Sequence, residues 1–166
     1  MTLTEAIAAI EQECQNPNAG LPFEVFKLVS KLTPMINVDL LIKDASGKTL
    51  LTWREDPLCK AGWHIPGGII RFMENIDTRI HKVAIAELGA DVSFEKKPLA
   101  VTEFIIPKQA YRNHFISLLY KCELISNLPA TLQCQDMERP LNGQYAWFDA
   151  APEKLLEVHG KYKDFI

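Results

Sequence analysis

The hydrophobic pattern predicts a helical start followed by alternating strands and helices. Residues 1–33 carry apolar side chains at helical spacing in two runs, which the sequence NPNAG separates. Residues 35–43 and 49–55 alternate as strands do, and the turn sequence DASGK between them predicts a hairpin. Residues 111–124 form the longest apolar stretch, typical of a central strand buried on both faces. YAWFDA predicts the last strand, and residues 151–158 predict a closing helix.

Residues 66–90, PGGIIRFMENIDTRIHKVAIAELGA, predict a strand end, a loop, a helix and a helix stop. Asn75 is a plausible N-cap, and Asp77 lies in the first turn, where a negative charge suits the helix dipole. Gly89 stands where a left-handed residue would close the helix. The rest of the chain is organised around this element.

Composition narrows the class of partner. Of 166 residues, 48% are hydrophobic and 23% charged, as in an ordinary globular domain. The net charge of -3 gives no electrostatic footprint for nucleic acid or an anionic membrane. The four cysteines lack CxxC spacing, and we find neither a signal peptide nor a membrane-spanning apolar run. We therefore expect a cytoplasmic protein with reduced thiols.

The spacing within residues 66–90 resembles the signature of the Nudix hydrolases, GX5EX7REUXEEXGU, where U is aliphatic. Gly68, Glu74, Glu87, Gly89 and Ala90 match it. The residues that depart from it are Lys82, Val83, Ala84 and Ala86. The resemblance implies a mixed, partly antiparallel α/β (α+β) sheet sandwiched between helices. We assign residues 35–166 to this Nudix domain and residues 1–34 to an N-terminal helical extension.

The replaced glutamates affect the expected metal chemistry. Positions 83, 86 and 87 project to one helix face, where the family's carboxylates hold several divalent cations. Val83 and Ala86 cannot be ligands, which leaves room for a single Mg²⁺. The resemblance implies that the Gly67 carbonyl and Glu87 hold it.

One branch of the family, the GDP-mannose mannosyl hydrolases, has a similar helix that ends in AELG. The resemblance implies a Mg²⁺-dependent hydrolase of a nucleotide sugar, most like GDP-mannose, which releases nucleoside diphosphate and free sugar by water attack at the anomeric carbon. It also suggests a homodimer. Two alternatives stay open: a Nudix pyrophosphatase that attacks phosphorus, and a catalytically silent domain that binds a nucleotide sugar.

Several further residues are candidates for the site. Asp39 interrupts an apolar strand, and such a carboxylate is costly unless it is paired or functional. The resemblance implies substrate binding for Asp39 and Arg54, although a structural salt bridge between them is equally compatible with the sequence. The other substrate-binding candidates are Arg71, Tyr111 and His114. The loop before the last strand lacks the branch's histidine base, so Asp136 and Glu138 are the candidates for that role, since a carboxylate can act as a base if its pKa is raised.

Overall fold

The computed structural model describes residues 1–56 and 59–166, and the side chains of Asp56 and Cys59 lie outside this description. The described chain contains three α-helices, eight strands and two short 3-10 helices. The helices are α1 (Leu3–Glu13), α2 (Phe23–Leu32) and α3 (Ile76–Leu88). The strands are β1 (Met35–Ile42), β2 (Thr49–Asp56), β3 (Cys59–His64), β4 (Gly67–Ile69), β5 (Val92–Phe94), β6 (Ala100–Ile105), β7 (His114–Leu124) and β8 (Tyr145–Phe148). The sequence prediction of two N-terminal helices is confirmed by α1 and α2.

The strands form two sheets. In the five-stranded sheet β1 lies between β4 and β7, and the other edge of β7 pairs with β5 and β6 along different halves. The pairing of β1 with β7 is parallel, and the remaining pairs are antiparallel. The second sheet has the order β3-β2-β8 and is antiparallel. The predicted central position is confirmed, because β7 pairs along both edges, but Lys121 and Glu123 are exposed, so the strand is not buried on both faces throughout.

The predicted hairpin of β1 and β2 is wrong. The two strands lie in different sheets, and the described pairing between their ends is a single bridge from Lys43 to Thr49. β1 has both edges occupied by β4 and β7, so after the turn the chain continues into the second sheet. An alternating pattern predicts a strand, but it does not identify that strand's neighbours.

Helix α3 has the predicted ends. The Asn75 side chain accepts a hydrogen bond from the Thr78 N–H at 2.8 Å, and Gly89 closes the helix with φ of 61°. The helix buries Ile80, Val83, Ala84 and Leu88 against one face of the five-stranded sheet. Because this face of α3 is buried, only its other faces can contact solvent or line the cavity described below.

The predicted C-terminal α-helix is also wrong. The Trp63 N–H donates to the Lys154 carbonyl at 2.8 Å, and the Leu156 N–H donates to the Trp63 carbonyl at 2.9 Å. Because residues 154–156 run beside β3 in this way, their backbone cannot also close helical turns. A 3-10 helix, Glu157–Tyr162, follows instead and buries Tyr162 between the sheets.

Two further findings concern the whole described chain. None of its helices is long and apolar enough to cross a membrane. Cys14, Cys122 and Cys134 are free thiols, as expected, while the side chain of Cys59 lies outside the description.

Candidate active site

A cavity of about 890 Å³ opens where the second sheet, β4, α3 and the N-terminal segment meet. This volume is within the range of small-molecule sites. Its polar and charged lining residues are Thr52, Arg54, His64, Arg71, Arg79, Glu87, Arg112 and Asn142. Among the described lining residues, four arginines and one carboxylate therefore face the same space. One of those arginines, Arg79, is neutralised by an ion pair with Glu74. The lining carries an excess of positive charge suited to an anionic ligand.

Glu87 supplies the carboxylate of the cavity. It comes from the last turn of α3, next to Ala86, which also lines the cavity, while Val83 is buried in the core. The Glu87 side chain is 29% exposed, and its Oε2 lies 3.7 Å from His64 Nε2. Withdrawal from water raises the pKa of Glu87 to about 7, against the lowering effect of the Gly67 N–H and Arg54. A carboxyl with this pKa can exchange a proton near neutral pH.

Gly67 lies between Glu87 and Asp39. In the register of β4 with β1, Gly67 is opposite Asp39. The Pro66 carbonyl accepts the Leu40 N–H, and the Ile70 N–H donates to the Ile36 carbonyl, so these even-numbered residues face β1. Alternate residues of an antiparallel pair direct their backbone groups to opposite sides, so the N–H and C=O of Gly67 point away from β1. Its N–H bonds to Glu87, which places its carbonyl on the same side as that carboxylate.

Asp39 is buried behind this turn, with 3% of its surface exposed. Its Oδ2 accepts hydrogen bonds from Ser117 Oγ at 2.5 Å and from the Tyr162 hydroxyl at 2.8 Å. Burial raises the pKa of Asp39 to about 6, although both hydroxyls and Arg112 favour the charged form. A Cβ on Gly67 would lie 2.1 Å from Asp39 Oδ1, so the carboxylate and the glycine backbone are in direct contact.

Two histidines beside the Pro-Gly-Gly turn were not among the sequence-predicted site residues. His64 Nδ1 lies 2.9 Å from the Ile65 carbonyl, which can only accept, so Nδ1 carries the proton. Its Nε2 is then an acceptor in the neutral ring and lies 3.0 Å from Thr52 Oγ1. The His159 ring is 5.6 Å from that of His64, and its Nδ1 accepts the Ile65 N–H at 3.3 Å. Burial holds the pKa of His159 well below its usual range.

The sequence signal for His64 was its position, two residues before Pro66 of the Pro-Gly-Gly turn. That signal alone could not separate a packed ring from a cavity-lining one, because the distinction depends on α3 placing Glu87 opposite. The sequence signal for His159 was the tail VHGKYKDFI, which resembles the closing segment of the mannosyl hydrolase branch and favours docking of the terminus over a substrate role. The position of His159 beside the turn depends on the fold of the C-terminal segment.

Glu74, the other matched glutamate, has a structural position. Its side chain is 1% exposed and contacts Arg79 Nη2 at 2.6 Å and Lys82 Nζ at 2.9 Å. It also accepts the Arg71 N–H at 3.1 Å. Burial opposes its ionisation, but the bonds from Lys82, Arg71 and Arg79 outweigh burial and hold the pKa of Glu74 below its ordinary value. Glu74 thus ties the loop after the glycines to α3.

The structure separates the predicted site residues into two groups. Arg54 and Arg71 line the cavity with Gly67 and Glu87, and Asp39 supports them from behind. The other predicted residues, Tyr111, His114, Asp136 and Glu138, are not among the described residues that line it.

Each residue of the second group has other contacts. The Tyr111 ring packs edge-on against Phe23 at 5.7 Å, and His114 Nε2 lies 3.1 Å from Glu103. Asp136 and Glu138 are exposed, and the Asp136 carboxylate accepts the Glu138 N–H at 3.0 Å. Their predicted roles in binding and catalysis stay predictions.

The cavity offers few oxygen donors for a Mg²⁺ ion. Among the described residues there is no group of three or more His, Cys, Asp or Glu side chains that could hold a metal ion. The Glu87 carboxylate and the outward-facing Gly67 carbonyl are hard oxygen donors on one side of β4. Such a pair fits one Mg²⁺ that keeps several waters and also binds substrate phosphates, and it does not fit a cluster of ions.

Comparisons with known proteins place the fold. No protein-family model matches the chain. The low-salt glycan biosynthesis protein Agl8 of Haloferax volcanii is 29% identical over 85 residues, covering 51% of this chain and 54% of that protein. The match thus spans about half the length of this curated relative.

Solved structures match over more of the chain. A MutT Nudix hydrolase from Burkholderia pseudomallei has a TM-score of 0.60 at 20% identity, covering 81% of this chain and 98% of that one. A UDP-X diphosphatase has a TM-score of 0.57 at 16% identity, covering 98% of this chain and 87% of that one. Together with the loop and helix after the Pro-Gly-Gly turn, these similarities show that the chain has the Nudix fold.

Proposed function

We propose that this protein is a Mg²⁺-dependent hydrolase of a nucleotide sugar, most like GDP-mannose, and that it releases a nucleoside diphosphate and a free sugar. One observation carries the proposal: a cavity of about 890 Å³ in which Glu87, the one carboxylate among its described lining residues, faces several arginines. An anionic diphosphate complements this lining. The volume also accommodates a ligand with a nucleoside at one end and a sugar at the other.

The bond to be cleaved follows from the carboxylate count. Attack at phosphorus benefits from several metal ions that activate water and neutralise the phosphoryl oxygens. Attack at the anomeric carbon needs a stabilised diphosphate leaving group and a base for water. Arg54 and Arg71 line the cavity where they can hold the departing diphosphate by bidentate hydrogen bonds. The donor set described above supports the second reaction better.

Glu87 and the Gly67 carbonyl would hold the Mg²⁺, which when bound withdraws charge from the diphosphate. The Gly67 N–H orients the Glu87 carboxylate, while the single hydroxyl proton of Thr52 is directed to His64 Nε2. Gly67 thereby contributes both of its backbone groups to the same side of the site.

The base for water is proposed from two sets of residues. Asp136 and Glu138 are the carboxylates of the loop before β8, which contributes Asn142 and Gly143 to the cavity. His64 lies in the cavity itself, with Nε2 as the unprotonated nitrogen of the neutral ring. His64 needs no movement of the loop, which favours it over the two carboxylates.

The names of two relatives bear on the substrate. Agl8 is named a low-salt glycan biosynthesis protein, and the second solved structure is named a UDP-X diphosphatase. Both names are compatible with a nucleotide-sugar ligand. The second also favours a different bond, so a diphosphatase that yields nucleoside monophosphate and sugar phosphate is the second candidate function.

Hydrolysis in H₂¹⁸O distinguishes these possibilities. Purified protein with Mg²⁺ is incubated with GDP-mannose and a panel of other GDP- and UDP-sugars. We expect GDP and free sugar, with ¹⁸O in the sugar hydroxyl. Label in a phosphate of the products would instead establish attack at phosphorus. Absence of turnover across the panel, combined with a ligand-dependent rise in Tm, would leave a nucleotide-sugar-binding domain.

Variants test the assigned residues. Glu87→Gln should abolish most turnover without unfolding the protein, and Glu123→Gln, an exposed glutamate on β7, is the matched control. His64→Gln is compared with the double variant of Asp136→Asn and Glu138→Gln. The set whose loss removes the acidic limb of the pH–rate profile, where the base becomes protonated, contains the base.

A further inference from the structure

The N-terminal segment forms one wall of the cavity. Six apolar or small residues from the loop after α1 and from α2 line it: Pro17, Gly20, Leu21, Phe23, Phe26 and Val29. From the sequence, residues 1–34 are assigned only to a helical extension of the Nudix domain. Its position beside the arginines of the cavity suggests that it has a role in ligand binding.

The segment holds Arg71 in place. A Cβ on Gly20 would lie 1.9 Å from Arg71 Nη1, so the guanidinium packs directly on the glycine backbone, whose φ is +123°. The Asn18 side chain donates to the Phe72 carbonyl at 3.0 Å and fixes the loop on the other side. Within residues 1–56 and 59–166, the Arg71 guanidinium makes no hydrogen bond or ion pair. A partly buried arginine in this condition is available for an anionic ligand.

The segment also holds Arg112. Ser30, which is 2% exposed, accepts the Arg112 N–H at 3.1 Å through its Oγ. Arg112 has φ of 52°, a conformation that non-glycine residues rarely adopt without support. Two of the cavity's arginines are therefore positioned by contacts with residues 20 and 30.

Phe72 completes this end of the cavity. It lines the cavity, yet 68% of its surface is exposed, while its carbonyl is held by Asn18. A phenylalanine exposed to this extent gives up few protein contacts when it stacks on a planar ligand group, and it gains contact area. The apolar wall of residues 17–29 faces the same space.

We propose that residues 17–30, together with Arg71 and Phe72, bind the nucleoside diphosphate part of the ligand: the arginines contact the phosphates, and the base lies on Phe72 against the apolar wall. This inference rests on the proposed function for the identity of the ligand. It assigns to the N-terminal helices a direct contribution to affinity and base selectivity.

Calorimetric titration tests the inference without turnover. GDP, UDP and inorganic pyrophosphate are titrated into the full chain and its variants. We expect Phe72→Ala to weaken GDP binding by about tenfold or more, as for loss of a base-stacking ring, and to change pyrophosphate binding less than twofold. Ile125→Ala, which removes a side chain that is 62% exposed, is the control and should change neither.

The two positioning contacts have a different signature. Ser30→Ala and Gly20→Ala should weaken GDP and pyrophosphate by similar factors, because both probes bind through the phosphates. Melting curves confirm that each variant is folded. If these variants lower the Tm but leave both affinities unchanged, the segment has only a structural role and the inference is wrong.

The remaining outcomes also decide the question. Equal weakening of GDP and pyrophosphate by Phe72→Ala, or no binding of GDP by the wild type, would overturn the assignment of the base. If Phe72→Ala selectively loses GDP binding and the wild type hydrolyses no nucleotide sugar, the inference is upheld and the hydrolase is rejected. If the wild type hydrolyses nucleotide sugars and Phe72→Ala leaves this turnover unaffected, the hydrolase is upheld and the inference is rejected.

Discussion

Substitution of Gly67 by alanine should destabilise the protein by about 3–5 kcal/mol. The added Cβ would lie 2.1 Å from Asp39 Oδ1 and 2.9 Å from the Val38 carbonyl. Neither neighbour can move freely, because Val38 belongs to the central part of β1 and Asp39 is bonded to Ser117 and Tyr162.

The magnitude has two sources. Overpacking by one methyl group in a rigid environment costs about 1–3 kcal/mol. Relief by displacing Asp39 would break at least one hydrogen bond to its carboxylate, and a bond to a charged group contributes about 1.5–3 kcal/mol. A domain of this size has a total stability of about 5–15 kcal/mol, so the change is large but measurable.

Urea unfolding followed by tryptophan fluorescence provides the assay, with the midpoint and the slope fitted separately. Gly160→Ala is the control, because a Cβ there meets no atom within 4 Å. In the Asp39→Ala background, Gly67→Ala should cost less than it does in the wild type, since only the Val38 carbonyl then opposes the methyl group. A Gly67→Ala protein within about 0.5 kcal/mol of the wild type, which is the scatter of ordinary surface substitutions, would refute the packing argument.

Three further predictions follow from the charged groups. Glu74→Gln should cost about 3–5 kcal/mol, because it leaves the buried Arg79 guanidinium without its counter-charge, as urea unfolding would measure. Tyr162→Phe should cost about 1.5–3 kcal/mol near neutral pH through the lost bond to Asp39, and less near pH 5, where that carboxyl is protonated. Because the pKa of Glu87 is raised to about 7 in the native state, its ionisation destabilises that state as the pH rises from the ordinary pKa of a glutamate through about 7. The free energy of unfolding of Glu87→Gln should therefore rise by about 1–3 kcal/mol relative to that of the wild type between pH 5 and pH 8. Urea midpoints measured with EDTA present would show this.

Matched comparisons make these predictions specific. Lys82→Met is the partner variant for the Glu74 prediction, and it should cost less than about 1 kcal/mol because the lysine is 51% exposed. Equal losses at Glu74 and Lys82 would contradict the buried ion pair with Arg79. A Tyr162→Phe loss that does not change with pH would contradict the assigned bond to Asp39. A pH-independent difference for Glu87→Gln would show that its carboxyl stays hydrated.

Sequence information was sufficient where the decisive interactions are local. The ends of α3 follow from Asn75 and Gly89, because capping involves atoms within a few residues. The same holds for the face that presents Glu87, which follows from helical periodicity. Strand pairing is non-local, so the pattern of β1 and β2 predicted the strands correctly and their pairing wrongly.

The composition of the site shows the same division. Asp39 attracted attention as a carboxylate in an apolar strand, yet its partners Ser117 and Tyr162 lie 78 and 123 residues away in sequence. No pattern within either segment indicates that contact. Tyr111 has the residue type of a ligand contact, but the structure packs it against α2, and only the folded N-terminal segment could show this.

The bond between Asp39 and Tyr162 has a consequence for synthesis on the ribosome. Translation at roughly 5–20 residues per second means that Asp39 emerges about 6–25 s before its tyrosine partner, given the 123 residues between them. During that interval β1 can collapse with its early neighbours, but the carboxylate lacks both hydroxyl donors until Ser117 emerges and one of them until Tyr162 emerges. The nascent chain therefore carries an incompletely satisfied charge at the centre of its sheet, and the turn at Gly67 reaches its final rigidity only after Tyr162 has been added.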